Sequence, residues 1–121
     1  MDSRFEQGMQ TRRQVLGAEY VDQAVANTTD FDSDFQKWIT ESAWAGVWAR
    51  PGLERKVRSL ITIAILAAMG HNELEVHLRA AVHTGATPPE VAEALMHVAV
   101  YAGVPAANHA FRVAKNVFEE T

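Results

Sequence analysis

Residues 87–103 read TPPEVAEALMHVAVYAG, and this stretch decides the fold class of the chain. Thr87 is a suitable helix N-cap, Pro88 stands at the first helical position, where no backbone N–H is needed, and Glu90 can close a capping box with Thr87. The apolar residues that follow recur at helical spacing, and Gly103 can end the helix. The stretch therefore predicts an α-helix.

The rest of the chain carries helix signals of the same kind. Asn72 can cap a helix over about 73–84, and Gly85 is the expected left-handed residue after it. The segment 53–69 is apolar nearly all round after Ser59, and its length and alanine content favour a central buried helix over a buried strand. Three more helices are expected over 7–26, from Thr29 or Asp30 to Trp44, and from Pro105 to Phe118. The sequence thus predicts an all-α domain of about six helices.

Length, composition and charge limit the class of protein. A chain of 121 residues, 48% of them hydrophobic, can bury one core, so residues 1–121 are expected to form one domain. A net charge of −4 without a basic stripe disfavours nucleic-acid binding. The longest apolar stretch, residues 60–69, is about half of the ~20 residues that a membrane span needs, and the sequence starts without an apolar secretory segment. We expect a cytoplasmic protein with no nucleic-acid or membrane partner.

The chain contains no cysteine. This excludes a disulfide-stapled fold, a thiolate zinc site, an iron–sulfur cluster, a cysteine nucleophile and thiol peroxidase chemistry. The five histidines form no HExxH or His-x-His pattern, so the signal for a metal site is weak and no metal is predicted.

Glu73 and His77 form the first candidate site. They stand four residues apart on a predicted helix, so their side chains are neighbours on one face, and the carboxylate can orient the imidazole. His77 lies about 40° around the helix from Ala81, which is in the apolar stripe, so His77 is expected at the edge of the core. The spacing alone leaves three interpretations open: a structural salt bridge, an acid–base pair and a metal site.

Two aromatic pairs are weaker candidates. His97 flanks the apolar stripe of its helix, and Tyr101 follows four residues later, which indicates a second polar notch at the margin of the core or simple packing. Trp44 and Trp48 favour core or interface packing over a stacking platform, because no basic patch accompanies them.

Arg50 and Arg58 are the candidate cations. Arg50 precedes a proline break, and Arg58 lies in the first turns of the apolar middle helix. An arginine in such a place needs a partner or a path to solvent. The alternative to surface exposure is a fixed guanidinium that holds a substrate carboxylate.

Six segments, in order along nearly the whole chain, carry a resemblance to a known family: RRQVLG at 12–17, TTDF at 28–31, WARPGL at 48–53, RSL at 58–60, ELEVHLRAA at 73–81 and YAGVPAAN at 101–108. The chain resembles the carboxymuconolactone decarboxylase family. This resemblance implies the all-helical alkyl hydroperoxidase D-like fold and association into trimers or hexamers. An oligomer also agrees with a middle segment that is too apolar to be solvated on any side.

The family has a redox branch, which depends on a CxxC motif followed by a histidine. Placing that histidine on His77 puts the two cysteines at Gly70 and Glu73, so the redox activity cannot carry over. The resemblance instead implies cofactor-free decarboxylation of 4-carboxymuconolactone to the β-ketoadipate enol-lactone in aromatic catabolism. The lactone is its own electron sink, so no pyridoxal, thiamine or metal is required.

The resemblance, together with charge and spacing, assigns a hypothetical role to each candidate residue. His77 is the expected general acid, Glu73 orients it, and His97 is a second donor to the lactone carbonyl. Arg50 or Arg58 is expected to bind the acetate group that the product retains. Trp44 and Trp48 are expected to form an apolar wall beside the departing carboxylate.

Two other functions stay open at this point. A related lyase or isomerase could act on another small carboxylated lactone, because a fold does not determine the reaction. Alternatively, the chain is a non-enzymatic helical oligomer that binds a ligand, and Glu73 with His77 is only a structural pair.

Overall fold

The computed structural model describes residues 3–120, in which every element of secondary structure is a helix and no strand occurs. The helices are α1 (Arg4–Leu16), α2 (Ala18–Ala26), α3 (Ser33–Ile39), a π-helical segment (Thr40–Trp48), α4 (Arg55–Met69), α5 (Leu74–Thr84), α6 (Pro88–Ala102) and α7 (Val104–Glu119). The predicted all-α class is confirmed. The backbone divides into two compact units, Met1–Glu54 and Arg55–Thr121, which we call the N-terminal and C-terminal units. One domain over 1–121 stays a prediction.

The predicted helix over 7–26 is wrong as a continuous element. Gly17 separates α1 from α2 with φ 93° and ψ 143°, a conformation outside the helical region that is accessible to glycine because it has no Cβ. At the other end, Ser3 and Glu6 form a capping box that begins α1. A glycine inside a predicted helix does not by itself mark a helix end, so the prediction missed the break at Gly17.

The helix predicted from Thr29 or Asp30 to Trp44 begins later and changes its winding. The backbone N–H of Thr29 donates to the Asp32 carboxylate at 2.8 Å, so this residue belongs to a turn, and Asp32 is the N-cap position of α3. From Thr40 onward the chain is π-helical. The Thr40 hydroxyl donates to the carbonyl of Gln36 at 2.7 Å, a bond that competes with the regular helical pattern.

The core of the N-terminal unit lies where α1 packs against the π-helical segment. Val15 of α1 contacts Trp44 and Trp48 in one buried cluster. Gly8 of α1 lies directly against the backbone of Thr40, so this helix pair approaches more closely than any larger residue allows.

The C-terminal unit confirms most of the expected helix ends. Gly85 has φ 84° after α5, and Gly103 has φ 110° after α6. Thr87 and Glu90 form the predicted capping box. The expected Asn72 cap is wrong, since Glu73 takes the N-cap position of α5 and makes no side-chain cap hydrogen bond.

Glu90 also connects α6 to α4. Its carboxylate accepts a hydrogen bond from the backbone N–H of Thr87 at 3.0 Å and pairs with the Lys56 ammonium at 3.0 Å. The hydrogen bond from Thr87 and the Lys56 contact lower the pKa of Glu90 to about 2. The carboxylate therefore stays charged over the whole physiological range, and the start of α6 keeps its anionic cap.

The core of the C-terminal unit is a single apolar cluster from α4, α5, α6 and α7. Its buried members are Ile63, Ala67, Leu74, Leu78, Ala81, Ala86, Val91, Leu95, Val98, Ala110, Ala114 and Val117. α4 contributes one face only, because Ile61, Ile65 and Met69, on another face, are 44%, 52% and 67% exposed. The expectation that α4 is buried all round is wrong for the isolated chain. None of the helices described over 3–120 is long and apolar enough to span a bilayer.

Candidate active site

His77 is the candidate for acid–base chemistry, and its side chain is partly removed from water. It lies half-buried on α5, and its Nδ1 atom is shielded from solvent. Burial lowers the pKa of His77 below its ordinary value, because a charged imidazolium loses hydration there, while the Glu73 carboxylate opposes this shift. The imidazole is therefore neutral in most molecules at pH 7.

Glu73 stands beside His77, as the sequence spacing predicted. It occupies the exposed N-cap position of α5, and its backbone carbonyl accepts a hydrogen bond from the His77 backbone N–H at 3.3 Å. Its own backbone N–H donates to Nδ1 of His71 at 3.1 Å. The acid and the imidazole thus interact across the first turn of one helix, and the catalytic role of the pair stays a prediction.

His97 is not at the margin of the core, which corrects the sequence-based expectation. It is exposed on α6, and its ring stacks on Tyr101, with ring centroids 5.9 Å apart and an interplanar angle of 22°. Tyr101 is itself 84% exposed. The predicted pairing of the two rings is present, but it lies on the surface of the described chain.

Trp44 and Trp48 lie in the core of the N-terminal unit. The two rings stack on each other, with centroids 5.4 Å apart and an interplanar angle of 25°, and both residues are less than 10% exposed. The core-packing interpretation of these tryptophans is therefore confirmed. A contribution to the wall of a substrate site stays a prediction.

The two candidate arginines differ in their surroundings. Arg50 is exposed after the π-helical segment, whereas Arg58 is half-buried on α4 with its Nε atom shielded from solvent. Because electrostatic attraction is stronger away from water, Arg58 is the better placed of the two to hold a carboxylate. The next residue, Ser59, is fully buried, and its hydroxyl makes no hydrogen bond within residues 3–120.

No three His, Cys, Asp or Glu side chains are grouped to hold a metal ion in the part of the chain that the structure describes. The absence of a metal and of a cofactor stays a prediction. Arg12 lines a cavity in the N-terminal unit, and it was not among the site residues predicted from the sequence. Its only sequence signal was its place in the RRQVLG segment.

Comparison with known proteins places the chain in a family. Residues 33–116, which are more than half of the chain, match the carboxymuconolactone decarboxylase family. The 4-carboxymuconolactone decarboxylase of Acinetobacter baylyi is 45% identical over 120 residues, which cover 98% of this chain and 90% of that protein. The nitrosuccinic acid decarboxylase of Metarhizium robertsii is 43% identical over 117 residues, which cover 96% of this chain and 82% of that protein. This chain belongs to the carboxymuconolactone decarboxylase family.

Proposed function

We propose that this protein is a cofactor-free carboxy-lyase that converts 4-carboxymuconolactone to the β-ketoadipate enol-lactone. The observation that carries the proposal is a half-buried imidazole, His77, held next to a carboxylate, Glu73, in a chain that is similar over nearly its full length to a decarboxylase of this name. A titratable pair of this kind fits a reaction that needs one proton donor.

The reaction needs a place for an electron pair and a source for a proton. When the bond between the ring carbon and the departing carboxylate breaks, its electrons pass through the ring double bond to the lactone carbonyl. The transition state therefore gains negative charge at that oxygen, where a donor stabilises it. A proton then adds to the ring carbon next to the carbonyl, so each CO2 released consumes one proton.

His77 supplies that proton in our proposal. Its lowered pKa in the free enzyme makes the imidazolium a stronger acid than an exposed histidine, although fewer molecules carry it at pH 7. The carboxylates of the bound substrate raise the pKa of His77 again, because nearby negative charge favours the cationic form. Solvent restores the proton after each turnover.

The other candidate residues have proposed roles in binding the substrate or in supporting His77. Glu73 favours the imidazolium of His77 by its negative charge. The half-buried guanidinium of Arg58 is the preferred partner for the retained acetate, with Arg50 as the alternative. His97 is the second-choice donor to the lactone carbonyl. Trp44 and Trp48 are the proposed apolar wall.

We also propose a homo-oligomer, a trimer or a hexamer. The support is the exposed apolar stripe of α4, Ile61, Ile65 and Met69, together with the exposed Met96 and Val100 of α6. Large exposed apolar side chains on two helices are costly to leave in water, and they support an interface with another copy of the chain.

The direct test measures CO2 release by the full-length protein after treatment with a chelator. We expect one CO2 per 4-carboxymuconolactone consumed, with the enol-lactone as the product. No release of CO2 from this lactone would contradict the proposed substrate.

Nitrosuccinic acid is the second candidate substrate, because a relative named for its decarboxylation is 43% identical to this chain. A nitro group can accept the electron pair of the departing carboxylate, as the lactone carbonyl does. Comparing kcat/KM for the two acids under identical conditions decides between them. A higher value for nitrosuccinate would favour the second candidate.

The pH profile of Glu73→Gln tests the carboxylate. In the wild-type protein we expect kcat/KM to fall as pH rises through the free-enzyme pKa of His77, which lies below the ordinary value of 6.5, because the imidazolium is lost. The substitution removes the charge that raises this pKa, so the midpoint moves to lower pH. Glu75→Gln is the matched control, since Glu75 pairs with Arg79 at 3.7 Å on the same helix. An unshifted midpoint in Glu73→Gln would contradict the assigned role.

A further inference from the structure

The N-terminal unit contains a cavity of about 760 Å³. This volume lies within the range of small-molecule sites. Phe5, Met9 and Val25 contribute apolar surface, while Arg12 and Lys37 contribute positive charge. None of the residues assigned to decarboxylation above is among those that line this cavity.

Arg12 is the unusual member of this lining. It is half-buried, and its Nε atom is shielded from solvent without a hydrogen-bond partner within residues 3–120. Its neighbour in sequence, Arg13, pairs with Asp22, whereas no carboxylate in the described chain pairs with Arg12. Burial lowers the pKa of Arg12 from its ordinary value. A guanidinium that is partly removed from water, with a shielded and unbonded Nε, carries an energetic cost, and a bound anion reduces that cost.

The charged groups that line the cavity leave an excess of one positive charge, and two of its hydroxyls are already engaged. Thr28 donates its hydroxyl hydrogen to the carbonyl of Ala24 at 3.0 Å, and Thr40 donates likewise to Gln36 at 2.7 Å, so these hydroxyls have no hydrogen left for a ligand. Glu41 is the one carboxylate among the lining residues, against two cations. The lining therefore favours a ligand with one negative group and an apolar body.

We propose that this cavity binds a small carboxylate whose charged end is held by Arg12 and whose apolar body packs against Phe5, Met9 and Val25. The planar guanidinium matches the geometry of a carboxylate and can form two parallel hydrogen bonds with it. The ligand is either the lactone substrate of the proposed reaction or a different carboxylate, and both share this chemistry.

Calorimetric titration with benzoate tests the site in the full-length protein. Benzoate joins a carboxylate to an apolar ring, and benzamide has the same shape without the charge. We expect saturable binding of benzoate and a weaker response to benzamide. Arg12→Gln should weaken benzoate binding by about tenfold or more, because a charge-assisted pair is lost. Arg13→Gln, which removes a neighbouring charge outside the cavity, should leave the affinity within about twofold of wild type.

Three results would overturn the proposal: equal affinity of Arg12→Gln and wild type, equal binding of benzamide and benzoate, or no saturable binding of benzoate. If Arg12→Gln does not fold, Arg12→Lys replaces it, since this variant keeps the charge, loses the planar fork and should still weaken binding.

Kinetic measurements distinguish the two sources of ligand. If Arg12→Gln raises the KM for the lactone, the ligand of the cavity is the lactone substrate. If Arg12→Gln loses benzoate binding and keeps the wild-type KM, the ligand is a different carboxylate. The binding data stand even if the protein does not decarboxylate the lactone.

Discussion

The His77→Ala variant is expected to release CO2 from 4-carboxymuconolactone about 10²- to 10⁴-fold more slowly than the wild-type protein, which is the usual contribution of a positioned general acid. The physical reason is the environment of the ring. His77 is half-buried beside Glu73, and burial keeps its pKa below the ordinary value, so its imidazolium is a stronger donor than that of an exposed histidine. Alanine leaves water as the proton source. Steady-state kcat and KM at several pH values measure the effect.

His83→Ala is the matched control for this variant. His83 lies in the last turn of the same helix and is exposed, so its removal should leave kcat within about twofold of wild type. Added imidazole should restore part of the activity of His77→Ala and none of any loss in the control. Full activity of His77→Ala would remove His77 from the site, although the family assignment would stand.

The largest expected loss of stability comes from Gly8→Ala. A Cβ atom at Gly8 would stand 2.2 Å from the backbone oxygen of Thr40 and 2.9 Å from both its carbonyl carbon and its Cγ2. The first two atoms belong to the backbone, so α1 and the π-helical segment must move apart. Overpacking of this kind costs about 1–3 kcal/mol and sometimes more, and we expect the upper end because a backbone must shift. Urea unfolding monitored by tryptophan fluorescence measures the change, since Trp44 and Trp48 lie in the adjoining core.

Gly46→Ala is the control for Gly8→Ala. The nearest atom to a Cβ at Gly46 is Nη2 of Arg4 at 3.1 Å, the end of a flexible side chain that can move at little cost. Alanine is also favoured over glycine in helices by roughly 0.5–1 kcal/mol. Gly46→Ala should therefore be about as stable as wild type or slightly more stable. Equal stability of Gly8→Ala and Gly46→Ala would contradict the close approach of the two helices.

Helix ends in the C-terminal unit were predictable because their causes are local. The capping box at Thr87 and Glu90 and the glycine stops at Gly85 and Gly103 depend on residues within one helical turn. The neighbouring position of Glu73 and His77 was predictable for the same reason, since helical spacing alone brings them together.

Features that depend on packing were not predictable. The break at Gly17 falls inside a predicted helix, and the π-helical winding after Ile39 involves a packed partner, α1. Burial of only one face of α4 depends on which helices lie against it. A periodic pattern shows which residues are apolar, but it does not show which of them find a neighbour.

By itself, the sequence determined the all-helical class, most helix ends in the second half of the chain, the family resemblance and the pairing of Glu73 with His77, because each of these follows from residues near one another in the chain or from their type. Only the tertiary structure decided that His97 is exposed, that Trp44 and Trp48 are buried against each other, and that Arg12 faces a cavity without an anionic partner. Burial depends on contacts between distant segments, and burial controls the pKa of His77 and the cost of the charge on Arg12.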